Sequence, residues 1–398
     1  MKLNPWRLLA LLFILQILVS LIGRSISPLG ILIEEDLNLT KAQIGLLPTA
    51  FFIGQSTVSI LAGILSDRIG FKVMFLIVSL TISSAFMATT FSYAFSILIL
   101  CIFIGGAAYG AMHPATNKGI MYWFPKHNLG TAMGIKQTGV TTGSALGALI
   151  MLPLANMYGW RVVLFVACLI LIIYSLSTIN VFPKPEEDED EQGGKKDIIK
   201  NLTQVVQKKS LLLVSISAAC LSAGQMIVNT YIVFYSFEYL GYALVVAGLA
   251  LVVSEIFGSL GRILWGIISD KIFQGDRIIV LMIVAVVGGV MASTLAFIPA
   301  ETPFWVTIIF IAFLGFTVSG FNGIWMIAAA ESVPKQFSGV SSGVSLTIGT
   351  LGVIIGPPVY GLLVDQTGGF MWGWIYFAGL MATVLGVLMV AKRVGFER

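Results

Sequence analysis

Along this chain apolar residues do not alternate with polar ones. They run in blocks of about 20 or more, the length that predicts helices crossing a bilayer. Twelve such blocks are readable, near 7–32, 43–66, 73–92, 95–122, 130–154, 160–181, 209–236, 242–269, 277–297, 303–329, 338–363 and 370–391. One polar stretch, 182–208, divides them six and six. The pattern therefore predicts an all-α membrane protein: a six-helix bundle over 1–181, a linker over 182–208 and a second six-helix bundle over 209–398. The first block runs beyond the roughly 7–15 apolar residues of a secretory leader and lacks a small-residue cleavage site, so it is read as a helix.

Composition agrees, with 57% hydrophobic and 11% charged residues, against roughly a quarter charged in soluble domains. Cys101, Cys168 and Cys220 all fall inside apolar blocks, where small packing residues are expected rather than disulfides or metal ligands. No cofactor or metal is expected. Seventeen Lys and Arg fall in connections on the side of the termini and two, Lys41 and Arg161, on the other. The positive-inside rule then predicts cytoplasmic termini and a cytoplasmic linker in a cell-membrane protein. A net charge of +4 calls for no nucleic-acid partner. The acidic run Glu186–Glu191 reads as a solvated tether, and Asp197–Lys209 as a short amphipathic helix on the inner lipid surface.

Two segments nearly repeat: Gly63-Ile64-Leu65-Ser66-Asp67-Arg68 and Gly266-Ile267-Ile268-Ser269-Asp270-Lys271, 203 positions apart. Each closes the second span of its half, which points to duplication. The first copy extends to Gly70 and Lys72. Gly63 permits close helix contact, Asp67 suits a neighbouring helix N-terminus, and Arg68 and Lys72 hold a cytoplasmic turn. This Gly-x-x-x-Asp-Arg-x-Gly-x-Lys pattern resembles the signature of the major facilitator superfamily of secondary transporters, and the resemblance spans the chain. It implies two six-helix bundles around a cavity that opens alternately to either side, working as a monomer in lipid.

An ionisable group in hydrocarbon costs about 2.5–3.5 kcal/mol by insertion scales, which makes each one a functional candidate. Six stand out: Arg24, His113, Lys118, Lys136, Glu255 and Arg262. Arg24 lies about 12 Å from the outer end of its span, and His113 and Glu255 lie about 14 and 21 Å from the inner ends of theirs, at 1.5 Å per residue. Lys118, Lys136 and Arg262 lie roughly 7–11 Å deep, where a long stem also permits snorkelling. Glu255 and Arg262, seven positions apart, share a helix face. Four cations against one acid make a positive, low-dielectric interior, which favours an anionic substrate, and a guanidinium fork suits a carboxylate.

Resemblance points the same way. Arg24 followed by Ile33-Glu34-Glu35-Asp36-Leu37 is similar to the opening of organic-anion symporters, and Gly261-Arg262 to the arginine segment of oxalate and monocarboxylate carriers. That pattern has an acid four positions before the arginine, and here the position is Gly258. In the fifth span, Lys136 and Gln137 precede Gly139, Gly143 and Gly147, whose spacing allows the close approach a rocking interface needs. Drug antiporters typically carry a Gly-Pro pair there, and none is present over 126–152. His113 before Pro114 reads either as a titrating group or as a structural histidine. Gln55, Gln137, Gln225, Asn229, Tyr231 and Asn322 are expected to line a cavity or bridge helices, and Gly356-Pro357-Pro358 to bend the eleventh span.

The expectation is a proton-coupled carrier of a small organic anion, not an enzyme. Arg24, Arg262, Lys136, Lys118, Gln137, Asn229, Tyr231 and Asn322 are its substrate-binding candidates, with Glu255 and His113 as candidate proton carriers. Gly63, Asp67, Arg68, Gly70, Lys72, Gly266, Asp270 and Lys271 form its conformational motif. The alternative is a drug or amphiphile exporter, in which Glu255 would attract cations.

Overall fold

The structure, a computed structural model, describes residues 4–124, 129–179, 181–182, 208–333 and 338–393, without the side chains of 59–71, 113–115, 117, 118, 121, 122, 129–131, 134 and 338–340. Among the described residues every regular element is helical. The first predicted span forms α1 (Pro5–Gly23) and α2 (Ile26–Leu37), followed by α3 (Lys41–Thr89) and α4 (Phe95–Trp123). Next come α5 (Leu129–Leu146), a π turn at Gly147–Met151, α6 (Leu152–Tyr158) and α7 (Trp160–Thr178). After the linker come α8 (Lys209–Phe234) with a π turn at Tyr235–Tyr239, α9 (Leu244–Lys271) and α10 (Arg277–Phe297). The tenth span is split into α11 (Phe304–Val318) and α12 (Asn322–Glu331), and α13 (Ser338–Thr367) and α14 (Met371–Arg393) complete the chain.

Eleven segments among the described residues are long and apolar enough to cross a membrane. The span predicted over 43–66 is the one missing from that count, because it runs into 59–71. Helix α3 takes in both it and the next predicted span in 49 residues. It cannot be one straight rod. Phe51 and Phe86 are 35 positions apart, about 52 Å at 1.5 Å per residue, yet their ring centroids lie 6.3 Å apart. The chain folds back between them, so α3 is two antiparallel legs, as two predicted spans require.

Local sequence explains the other irregularities. Thr40 starts α3 with a reciprocal cap, its side chain accepting from Gln43 N while Gln43 accepts from Thr40 N. The break between α1 and α2 falls at Arg24–Ser25, four residues before Pro28. A proline ring clashes with the carbonyl four residues back and offers it no N–H, so Pro28 opens the helix at Arg24. In its place Ser27 N donates to Arg24 O at 3.3 Å. Helix α13, by contrast, runs on as one helix through Pro357 and Pro358, the site of the expected bend.

Contacts group the chain into two compact units, one from the chain before the linker together with 244–252, the other from the remainder. In the first unit α3 and α4 touch backbone to backbone, since a Cβ on Gly106 would lie 2.0 Å from Phe51 O. In the second, α13 meets α8 the same way, with a Cβ on Gly352 only 1.8 Å from Ala219 O. Tyr235 and Tyr239 of the π turn donate to Leu295 O at 2.7 Å and Ile298 O at 2.9 Å, satisfying carbonyls left open as α10 ends. Tyr242 donates to Thr302 O at 2.6 Å just beyond.

Gly352→Ala therefore forces the α8 and α13 backbones apart and should destabilise the protein by about 1–3 kcal/mol. Gly386→Ala, inside α14 and with nothing among the described residues within 4 Å of an added Cβ, should be neutral or stabilising by up to about 1 kcal/mol. Thermal unfolding in detergent compares the two; equal losses would contradict the packing described.

Candidate functional site

Each unit holds its own buried polar cluster. In the first, Gln16, Ser20 and Arg24 follow one another at four-residue steps and share a face of the first span. Gln16 Nε2 donates to Ser20 Oγ at 3.1 Å, and Ser20 Oγ lies 3.4 Å from the Tyr109 hydroxyl of α4. Gln16 and Ser20 are fully buried, while Arg24, at the helix break, is half-buried. The sequence reading missed Gln16, Ser20 and Tyr109, although the stripe 16, 20, 24 in an otherwise apolar block was the available signal.

Lys136 does not snorkel. It is 2% exposed, and its ammonium donates to Thr116 Oγ1 of α4 at 3.1 Å. Its neighbour Gln137 is exposed. The small residues that follow pack on the first span: a Cβ on Gly139 would meet Gln16 of α1 at 3.1 Å, one on Gly143 would meet Ile17 O of α1 at 2.5 Å, and one on Gly147, in the π turn, would meet Pro28 of α2 at 3.5 Å. Their close approach, expected at a rocking interface, is thus made within this unit. The side chains of His113 and Lys118 lie outside the described residues, as do those of Gly63, Asp67, Arg68 and Gly70; Lys72 is half-buried.

In the second unit the cluster is built where α9 crosses the break between α11 and α12. Gly258 and Gly261 face that break, for a Cβ on Gly258 would lie 2.4 Å from Ser319 Cβ and one on Gly261 would lie 2.2 Å from Phe316 O. Gly315 returns the contact, with an added Cβ 2.4 Å from Ser254 O. This explains why Gly258 replaces an acid: no side chain fits there. Carbonyls freed by the break are taken by α9, with Trp265 Nε1 donating to Phe316 O at 2.9 Å and Arg262 Nε to Ser319 O at 3.1 Å. Phe316 O is freed because Gly320 N turns to Thr317 O at 3.2 Å, tightening the last turn.

Asn322 opens α12 and shares its amide between Ser319 O and Gln225 Oε1 of α8, both at 3.3 Å. Glu255, 2% exposed, lies two turns before Arg262 and receives Asn229 Nδ2 on Oε1 at 3.3 Å. So Glu255 turns to α8 and Arg262 to the α11 end, although they share a helix face. Tyr231 is fully buried, donates its hydroxyl to Pro357 O at 2.9 Å and stacks on Tyr360 at 4.7 Å. Those contacts make it a strut between α8 and α13. Ser319, Trp265 and Gln225 complete the cluster; the first two went unread because nothing in the sequence says which carbonyls a break will free.

The second copy of the repeat closes α9. Arg277 Nη1 donates to Ser269 Oγ at 2.7 Å and Asp270 Oδ1 at 2.5 Å, and Arg277 Nε lies 3.7 Å from Glu331 Oε2. The aspartate thus ties one helix end to the start of the next. At Gly266 an added Cβ would meet nothing within 4 Å among the described residues, while the close contact expected of Gly63 falls outside them. Lys271 is exposed.

Residues 12–357 match the family described as the Major Facilitator Superfamily. Over 363 residues the chain is 24% identical to the hexuronate transporter of Bacillus subtilis, covering 87% of this chain and 85% of that one. It is also 24% identical to a probable galactarate/D-glucarate transporter of the same organism, over 99% and 94% of the two chains. A probable sulfoacetate transporter of Cupriavidus necator is 24% identical, over 87% and 84%. Among solved structures, a bacterial homologue of the human lysosomal transporter Spinster, inward-facing and unoccupied, superposes with a TM-score of 0.83 at 15% identity, over 99% and 98% of the chains.

Removing the amide that faces Glu255 should leave a buried carboxyl short of a donor. Asn229→Leu is expected to cost about 1–3 kcal/mol. Combining it with Glu255→Leu should give a loss smaller than the sum by at least about 0.5 kcal/mol. A double-mutant cycle on thermal stability tests this, and strict additivity would mean that the pair does not interact.

Proposed function

Because the chain belongs to the Major Facilitator Superfamily, a family of transporters rather than enzymes, we propose that this multi-pass membrane protein is a secondary active transporter of a small organic anion, driven by protons. The observation that carries the substrate class is Arg262. Its guanidinium is half-buried in a membrane-spanning helix and is held through Nε on a backbone carbonyl. A guanidinium fixed in this way loses little freedom when a carboxylate pairs with its terminal nitrogens. Arg24, at the break in the first span, supplies a second planar fork. The relatives named above transport hexuronate, galactarate or D-glucarate, and sulfoacetate, which supports an anion reading.

Glu255 is the proposed proton carrier. It is the one acid read inside the spans, and Asn229 gives it a neutral partner that tolerates either protonation state. Lys136, held on Thr116, adds positive potential to the first unit. Gln137 and Asn322 are proposed to contact substrate, and Lys118 and His113 keep the charge and proton roles read from sequence. Tyr231 and Asn229 act by positioning α8. Access to the two membrane faces alternates, with the termini and linker cytoplasmic, and Asp67 and Asp270 with their flanking basic residues secure the cytoplasmic turns. A monomer in the cell membrane is the proposed working form.

In vesicles of purified protein, a labelled carboxylate should accumulate when a proton gradient is imposed, and a cationic dye should not move. Dye transport without carboxylate transport would sink the anion reading. Arg262→Ala should reduce carboxylate uptake by about a hundredfold, as expected for loss of a charged hydrogen-bonding pair. Glu255→Gln should abolish proton-driven accumulation while carboxylate exchange persists; accumulation surviving in that variant would remove Glu255 from coupling.

A further inference from the structure

The Gln225–Asn322 pair carries chemistry that a bare carboxylate does not use. Asn322 faces Ser319 O at 3.3 Å, and a carbonyl only accepts, so the amide nitrogen of Asn322 is the atom turned toward it. The same nitrogen lies 3.3 Å from Gln225, so Gln225 presents its oxygen to it. Both orientations are then fixed by one backbone carbonyl. The amide atoms those two bonds leave over are Asn322 Oδ1, an acceptor, and Gln225 Nε2, a donor. Ser319 O also receives Arg262 Nε at 3.1 Å, so this edge is joined to the guanidinium through a shared acceptor.

The edge is open enough to meet a ligand. Gln225, Asn322 and Arg262 are half-buried, whereas the residues before and after on α8, Leu221–Gly224 and Ile227–Thr230, are buried. Amide groups turned toward lipid would be left without partners, so a half-exposed polar edge at this depth reads as facing the protein interior. An ionised carboxylate is an acceptor only and finds nothing to gain from Asn322 Oδ1. A hydroxyl both donates and accepts, and matches the edge atom for atom.

We infer that Gln225 and Asn322 form a hydroxyl-reading subsite beside Arg262, so that the favoured substrate is a carboxylate bearing a hydroxyl on a nearby carbon. This inference rests on the organic-anion reading above. Arg262 holds the carboxylate, and the amide pair selects among carboxylates by their hydroxyl. Gln225 and Asn322 are thus specificity-determining residues, linked to the arginine by the broken helix.

The test is a thermal-shift titration of the purified full-length protein with two matched pairs of acids, D-glucarate against adipate and lactate against propionate. A ligand that binds the native state stabilises it by mass action, so midpoints report relative affinity. In at least one pair the hydroxylated acid should act at a concentration on the order of tenfold lower than its partner. Gln225→Met should bring that ratio close to one. Arg262→Ala should weaken both members of the pair together and keep the ratio. Equal potency within both pairs would overturn the hydroxyl subsite and leave the anion reading standing. Stabilisation by none of the four acids would overturn the anion reading, and this assignment with it. The wild-type ratio decides the point without any variant, and Asn322→Ser provides a second substitution should Gln225→Met fail to fold.

Discussion

Inside hydrocarbon a backbone carbonyl without a partner has no water to turn to, and a missing bond costs several kcal/mol. The second unit is organised around two such carbonyls. When the tenth span breaks between Val318 and Asn322, Phe316 O and Ser319 O lose their places in the helical ladder, and α9 supplies Trp265 and Arg262 in compensation. Gly258 and Gly261 bring α9 close enough for those side chains to reach. One constraint thereby fixes a helix crossing, a glycine pair and the orientation of a buried cation.

The same logic links structure to transport. An irregular backbone at membrane depth persists only where it is buried in protein or lines a water-filled space, and in both units a cation sits at a break. Arg24 ends α1 where Pro28 opens the helix, and Arg262 holds the end of α11. Breaks of this kind are where a helix deforms at least expense. The π turns after α5 and α8 add two more points at which a span departs from α geometry.

Much of this was legible beforehand. Eleven of the twelve predicted spans have a counterpart among the described residues, within a few residues at most ends, and the fold-back inside α3 supports the remaining one. Hydropathy works here because the bilayer leaves helices as the main solution. Interruptions inside spans were less legible. The position of Pro28 could have located the break at Arg24, but Pro357 and Pro358 lie in an uninterrupted helix, so proline alone does not say whether a helix will open.

The polar candidates divide along the same line. The sequence by itself determined that the chain crosses the membrane many times, that one segment nearly repeats 203 positions on, and that cations outnumber acids within the spans. It also showed that the copies of the repeat differ, with Ser59 in one half where Arg262 stands in the other. Length, hydropathy and charge are one-dimensional properties, and a bilayer converts them directly into topology. Only the tertiary structure decided that Tyr231 is a strut, that Lys136 is buried on Thr116, that Glu255 turns to Asn229, and that Arg262 shares its carbonyl with Asn322. Those outcomes depend on which helix lies against which. Glycine contacts and freed carbonyls on distant segments settle that choice, and no periodicity within a single span records it.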